Sequence, residues 1–268
     1  VKTIHVLGSE GFIGRAIQQE KTNKNLHCWS HRNPDPNHRF DLLNRSTWDS
    51  VINKRPTHLI LLSWPGLPNY HESFHLTRNL PACIELIDLL VESGLRRLVV
   101  TGTCYEYGLQ NGSLSELNLT DPLNCYAIAK DSLRRAIAYR CSQRQITWCW
   151  GRIFYTYGPG QNPNSFLPSI ERAINENQPL FAMTSGRQIR DFVPVDKVAR
   201  QLLLMASSPK AHGIYNCGSG EPVSLREMAE RKLLEASSPT RLQLGAHPDR
   251  KDEPLAFWAN TSRIDSLA

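Results

Sequence analysis

The stretch I-H-V-L-G-S-E-G-F-I-G, Ile4 to Gly14, decides the fold. A short apolar strand over Ile4 to Leu7 runs straight into three glycines and then into a helical pattern. Gly8 permits a tight turn, Gly11 lets backbone N–H groups approach an anion, and Gly14 lets the helix pack closely on the strand. Phe12 and Ile13 fall in the first turn of that helix, whose unpaired N–H groups and positive end suit a pyrophosphate. The spacing is G-x-x-G-x-x-G, not the commoner G-x-G-x-x-G, and such a loop can also be an ordinary strand-to-helix turn. Its place directly after the first strand favours the dinucleotide reading.

Outward from that loop, periodicity predicts strands over residues 3–7, 26–30, 57–62, 96–101 and 146–153, with helices over 12–20, 46–55, 70–93 and 122–142. Alternation of this kind predicts an α/β fold built on a doubly wound parallel sheet. Its binding crevice lies beyond the C-terminal strand ends, where Gly8, Ser30, Ser63, Thr101 to Thr103 and Phe154 all fall. The pattern changes from about residue 156. We expect a dinucleotide-binding (Rossmann) domain over 1–155, with part of 190–217 returning to it. A smaller substrate lobe is expected over 156–189 and 218–268.

The chemistry is read first from Tyr126 and Lys130 in D-P-L-N-C-Y-A-I-A-K, at the start of a predicted helix. Residues at i and i+4 share one helix face, so the Lys130 ammonium is expected to lie near the Tyr126 phenol and a cofactor ribose. That proximity is expected to lower a phenol pKa that is ordinarily about 10, allowing proton exchange with a carbinol or carbonyl oxygen near neutral pH. A helix with one aromatic and one solvated lysine is the plain alternative for the pair taken alone.

The glycine loop, T-G-T at 101–103 and Y-x-x-x-K together make the chain resemble the extended short-chain dehydrogenase/reductases, the NAD-dependent epimerase/dehydratases of nucleotide sugars. The resemblance covers nearly the whole chain. T-G-T-C-Y-E-Y-G, Thr101 to Gly108, resembles the segment carrying the catalytic Ser or Thr, which implies Thr103 beside Tyr126 and Lys130. R-I-F-Y-T-Y-G-P (152–159), G-R-Q-I-R-D-F-V-P-V-D (186–196) and G-I-Y-N-C-G-S-G-E-P-V-S (213–224) match further family segments in order. The resemblance implies substrate contacts from Thr103, Cys104, Tyr105, Tyr155, Arg190 and Arg250, the last holding a nucleotide diphosphate. It implies a cofactor held by Gly8, Gly11, Phe12, Ile13, Gly14, Ser30, Arg32, Asp41, Leu42, Ser63, Lys130 and Phe154. The chain stops earlier than family members usually do, so a final helix is expected to be missing or replaced.

Cofactor choice is read at the end of the second strand, L-H-C-W-S-H-R. An acidic residue there would bind the ribose hydroxyls of NAD, whereas this chain has Ser30, His31 and Arg32, which suit a 2′-phosphate. Glu10 in the glycine loop argues the other way. NADP(H) is the expectation, with NAD(H) the alternative.

Composition narrows the partners. The formal charge is +6 over 268 residues, but Lys and Arg are scattered, so a polyanionic small ligand is expected in place of nucleic acid. Seven cysteines without a C-x-x-C pair fit reduced thiols in a cytoplasm. No apolar stretch approaches 18 residues, and the first strand begins too early to leave room for a signal peptide, so no membrane partner is expected. H-E-S-F-H, His71 to His75, fits the H-E-x-x-H zinc signature, but no third ligand is evident and no metal is expected. Family resemblance implies a homodimer through the helices at 70–93 and 122–142.

For the reaction, the two residues after Thr103 discriminate. Dehydratases of the family carry Asp-Glu there, and Cys104 with Tyr105 cannot replace a carboxylate pair. Reduction of a 4-keto-6-deoxy sugar nucleotide by NADPH is the expectation, with 4-epimerisation on a retained NAD as the alternative. A non-catalytic NADP-binding regulator is the reading from another class.

Overall fold

A computed structural model describes residues 3–20, 25–250 and 253–268 of the chain. The elements in order are β1 (Ile4–Leu7), α1 (Phe12–Gln19), β2 (Leu26–Trp29), α2 (Trp48–Ile52), β3 (His58–Leu61), α3 (Leu80–Glu92), β4 (Arg97–Thr103) and β5 (Gly112–Leu114). There follow α4 (Cys125–Gln143), β6 (Thr147–Ile153), β7 (Tyr155–Tyr157), α5 (Phe166–Asn175), β8 (Leu180–Ala182) and β9 (Ile189–Pro194). The remainder are α6 (Val195–Ser207), β10 (Gly213–Cys217), β11 (Pro222–Ser224), α7 (Leu225–Glu235), β12 (Arg241–Gln243), β13 (Phe257–Ala259) and α8 (Ser262–Asp265).

Six strands form one parallel sheet in the order β10-β6-β4-β3-β1-β2. β1, β3 and β4 are buried at every position, which is why apolar residues dominate them despite His5, His58 and Arg97: a parallel sheet is covered on both faces. One face packs on α1 and α6 through Ala16, Ile17, Val198 and Leu202. The other packs on α3 and α4 through Leu86, Leu90, Leu133 and Ile137. The chain reverses direction across the sheet between β1 and β3, so the crevice opens there, at the C-terminal strand ends.

The smaller sheets hold the other side of that crevice. β9 lies between β7, parallel, and β11, antiparallel, while β12 pairs with β8. Leu167, Ile170, Met183, Phe192 and Met228 form a separate core there. β13 pairs with β5, tying residues 257–259 to the segment after β4. After β9 the chain re-enters the main sheet through α6 and β10.

The helix expected from residue 70 begins later. The chain from Pro65 to Ser73 is a succession of turns and loop, and His75–Asn79 then form a wide π-helical turn before α3. Pro81 has no N–H for the carbonyl four residues back, which explains a break in the α-helical ladder at this point.

Candidate active site

The glycine loop is shaped as a cradle. Gly8 has φ +91°, and a Cβ there would press on the Ser63 backbone, while one at Gly14 would enter the backbone of Gly8 and Ser9. The Gly8 and Ser9 N–H groups both donate to the Trp29 carbonyl, fixing the loop to the end of β2. Phe12 and Ile13 open α1, which has no side-chain cap, so its first-turn N–H groups lack intrahelical acceptors. At the end of β2, Ser30 is buried and, among the described residues, its Oγ has no hydrogen-bond partner. A cradle closed to side chains, an uncapped helix start and an orphan hydroxyl fit a dinucleotide.

The other expected cofactor residues fall around it unevenly. Arg32 is exposed and Glu10 half-buried. Asp41 Oδ1 accepts the Leu43 N–H in a local turn. Leu42 and Phe154 are buried in the two cores, so their side chains face the protein interior and only their backbone can meet a ligand. The Ser63 N–H donates to the Leu7 carbonyl.

Thr103, Tyr126 and Lys130 come together at the end of β4, all buried. Lys130 Nζ donates to the Thr101 carbonyl at 2.9 Å and lies 3.9 Å from the centroid of the Trp64 ring. The Tyr126 N–H donates to the Tyr70 carbonyl, so the loop after β3 is fastened to the start of α4, whose N-cap is Asn124. Thr103 Oγ1 accepts the Tyr105 N–H, and the Thr103 N–H donates to Glu106.

The expected lowering of the Tyr126 pKa is corrected here. Burial pushes this phenol well above its ordinary value, with Tyr70, Glu106 and Cys104 adding to the rise and a hydrogen bond with Thr103 opposing it. Burial also lowers Lys130, to about 8. The i,i+4 spacing does bring the pair together, but Nζ is 5.9 Å from the Tyr126 ring centroid and desolvation outweighs charge proximity.

Beneath the three residues lies a buried ionic group. Glu106 is fully buried and accepts from Thr103 N, Trp150 Nε1 and Arg152 Nε, the last at 2.8 Å. Gly102 is required in this layer, because a Cβ would collide with the Trp150 indole and Glu106. The spacing T-x-x-E from Thr103 is a capping-box signal, and the structure forms that box.

The side expected to meet substrate is lined by rings. Tyr105 lies edge-on to Tyr70 at 5.3 Å and to Tyr155 at 6.2 Å, and Cys104 is a buried thiol. Arg190 and Arg250 are brought together by Glu253, one carboxylate oxygen to each, at 2.8 and 2.7 Å. Burial would raise Glu253, but the hydrogen bonds of the two arginines outweigh it and hold the carboxyl low. Arg250 is mostly exposed. Arg190 is buried, donating also to the Ile189 and Leu255 carbonyls, so its guanidinium is turned into the protein. Glu253, Glu106, Trp64 and Tyr70 had no role in the sequence reading.

The zinc-like histidines do not converge. His71 is exposed in a turn, and both ring nitrogens of His75 meet protein partners. Among the described residues there is no group of three potential metal ligands, and no helix is long and apolar enough to cross a membrane. The seven cysteines are free thiols.

Comparison with known proteins agrees with this architecture. The chain is 28% identical over 269 residues to a dTDP-6-deoxy-L-talose 4-dehydrogenase (NAD(+)) of Aggregatibacter actinomycetemcomitans, covering 95% of this chain and 98% of the relative. It is 28% identical over 148 residues to a CDP-abequose synthase of Salmonella typhimurium strain LT2, covering 53% and 49% of the two chains. A solved structure of MoeE5 in complex with UDP-glucuronic acid and NAD superposes with a TM-score of 0.83 at 26% identity, over 99% of this chain and 92% of that one. Residues 4–218 match the model of the NAD dependent epimerase/dehydratase family, and the chain belongs to that family.

Proposed function

We propose that the protein is a nucleotide-sugar oxidoreductase that reduces an NDP-4-keto-6-deoxyhexose with NADPH, using Thr103, Tyr126 and Lys130. The observation that carries the reading is the convergence of those three side chains at the end of β4, in the crevice that the glycine cradle opens. The reaction named for the dTDP-6-deoxy-L-talose relative, at C4 of a 6-deoxy sugar nucleotide, supports the substrate class.

Tyr126, buried and protonated at neutral pH, is able to give a proton to a sugar carbonyl oxygen. Thr103 Oγ1 accepts the Tyr105 N–H, which leaves its own O–H to be donated within the site. Lys130 places a positive group beneath the same region. Bound nicotinamide would supply the hydride. Burial keeps both Cys104 and Tyr105 protonated, so neither replaces the carboxylate pair that elimination of water requires.

Gly8, Gly11, Gly14, Phe12 and Ile13 would cradle the pyrophosphate. Exposed Arg32 would meet a 2′-phosphate near Ser30, which supports NADP(H). Glu10, and the NAD(+) in the name of the talose relative, favour NAD(H) as the second cofactor reading. Arg250, released from Glu253, would take the nucleotide diphosphate, with Tyr105 and Tyr155 against the sugar.

The test is to supply NDP-4-keto-6-deoxyhexoses with NADPH and follow the nicotinamide absorbance. One NADPH should be consumed per sugar. Tightly retained NAD after purification, with interconversion of two 4-hydroxy sugar nucleotides and no added cofactor, would establish a 4-epimerase instead.

A further inference from the structure

The H-E-S-F-H stretch has a use unrelated to metal. Its second histidine, His75, is fully buried, with Nδ1 accepting the Trp64 indole N–H at 3.0 Å and Nε2 against the Asn69 carbonyl at 2.9 Å. A carbonyl only accepts, so the imidazole proton belongs on Nε2 and Nδ1 is left as the acceptor for Trp64. The two rings are nearly coplanar, with 17° between their planes and centroids 6.1 Å apart, as an indole N–H donated in plane to an imidazole lone pair requires. Trp64, so held, presents its π face to Lys130 Nζ at 3.9 Å, while Lys130 donates to the Thr101 carbonyl.

We propose that Trp64, oriented by His75, is a positioning residue that holds the Lys130 ammonium in place and in its charged form. The inference rests on Lys130 being part of the catalytic group. An ammonium taken out of water loses its hydration, and an indole face returns part of it as an electrostatic attraction that is strongest where water is excluded.

The remaining groups facing Lys130 are Cys83 from α3, Glu106 from the turn after β4, His75 from the π-helical turn and Tyr126 one turn back on α4. Burial raises Cys83 to about 12 and Tyr126 well above its ordinary value, so both are neutral near pH 7. Burial lowers His75, which keeps it neutral too. Glu106 supplies negative charge but is already paired with Arg152. With Lys130 itself lowered to about 8 by burial, its protonated fraction just above neutrality is sensitive to what faces the ammonium.

Lysine labelled with carbon-13 and nitrogen-15 allows Lys130 to be titrated by NMR in the whole protein, with Lys130→Arg identifying its signal. We expect the wild-type ε-methylene protons to be shifted upfield by the indole ring. Trp64→Leu should abolish that shift and lower the titration midpoint by about one pH unit, the scale of a desolvated cation–π contact. Trp64→Phe, with a smaller face, should lower it by less, and His75→Leu should broaden or reduce the ring shift. A folded Trp64→Leu protein with an unmoved midpoint would overturn the inference. Should that variant not fold, a Trp64→Phe protein with both ring shift and midpoint at wild-type values overturns it equally. A midpoint that moves as expected in a protein inactive on every 4-keto sugar nucleotide supports this contact and removes the reductase reading alone.

Discussion

Glu106 accepts the backbone N–H of Thr103 at 2.9 Å from a position with no solvent exposure. The same carboxylate neutralises Arg152 and takes the indole N–H of Trp150, so one buried acid sets the place of Thr103 and holds two residues of β6. Removing its charge leaves a buried guanidinium unpaired. Glu106→Gln should therefore destabilise the fold by about 3–5 kcal/mol, read as a lower midpoint in chemical denaturation. A loss below about 1 kcal/mol would show that Arg152 finds another partner.

Tyr126→Phe removes the proposed proton donor and little else. Turnover should fall by about two to four orders of magnitude while nucleotide binding is nearly kept. Lys130→Met should damage both cofactor affinity and rate. Steady-state kinetics with calorimetric titration of the nucleotide separates the two effects, and a Phe variant with near wild-type turnover would remove Tyr126 from the chemistry.

For the cofactor, NADPH should bind more tightly than NADH, and Arg32→Ala should narrow the difference by about 1–3 kcal/mol, the worth of a charge-assisted hydrogen bond. Equal or tighter binding of NADH to the wild type would give the decision to Glu10.

Alkaline pH should weaken the fold through its thiols. Burial pushes Cys83, Cys141 and Cys149 to about 12, 11 and 12 from an ordinary 9.0, and raises Cys104 and Cys217 as well. Above pH 9 the unfolded chain releases these protons and the native chain keeps them, so stability is complete below pH 9 and declines as pH rises toward the folded values. Lys130 opposes this between about 8 and 10.5, one group against these five thiols and Cys28, which burial also raises. The denaturant midpoint in reducing buffer should fall from pH 9 upward, and Cys83→Ala should make the decline shallower. A flat midpoint up to about pH 10.5 would contradict the assignment of buried thiols.

The parallel sheet was legible because β1, β3 and β4 are covered on both sides and are short, mostly apolar runs between helical patterns. Three glycines fixed the cradle for a similar reason: backbone approaches backbone there, and side chains are excluded. The direction of the Tyr126 shift was not legible, since spacing brings a lysine near but depth of burial depends on Trp64, Tyr70 and His75 arriving from the loop after β3. Glu253 escaped because what it joins to Arg250 is Arg190, which lies far away in sequence. Glu106 was readable in principle, three residues after Thr103 in a capping-box spacing.

The pairing of β13 with β5 gives the protein a timetable. Thr103, Tyr126 and Lys130 are all synthesised by the midpoint of the chain, and the sheet that carries them then needs only β6 and β10 to be complete. Strand β5 and Arg190 must wait for residues 253–259 to leave the ribosome before they find their partners. A chain made from its N-terminus thus emerges with the neighbours of its glycine cradle well before the partners of β5 and Arg190.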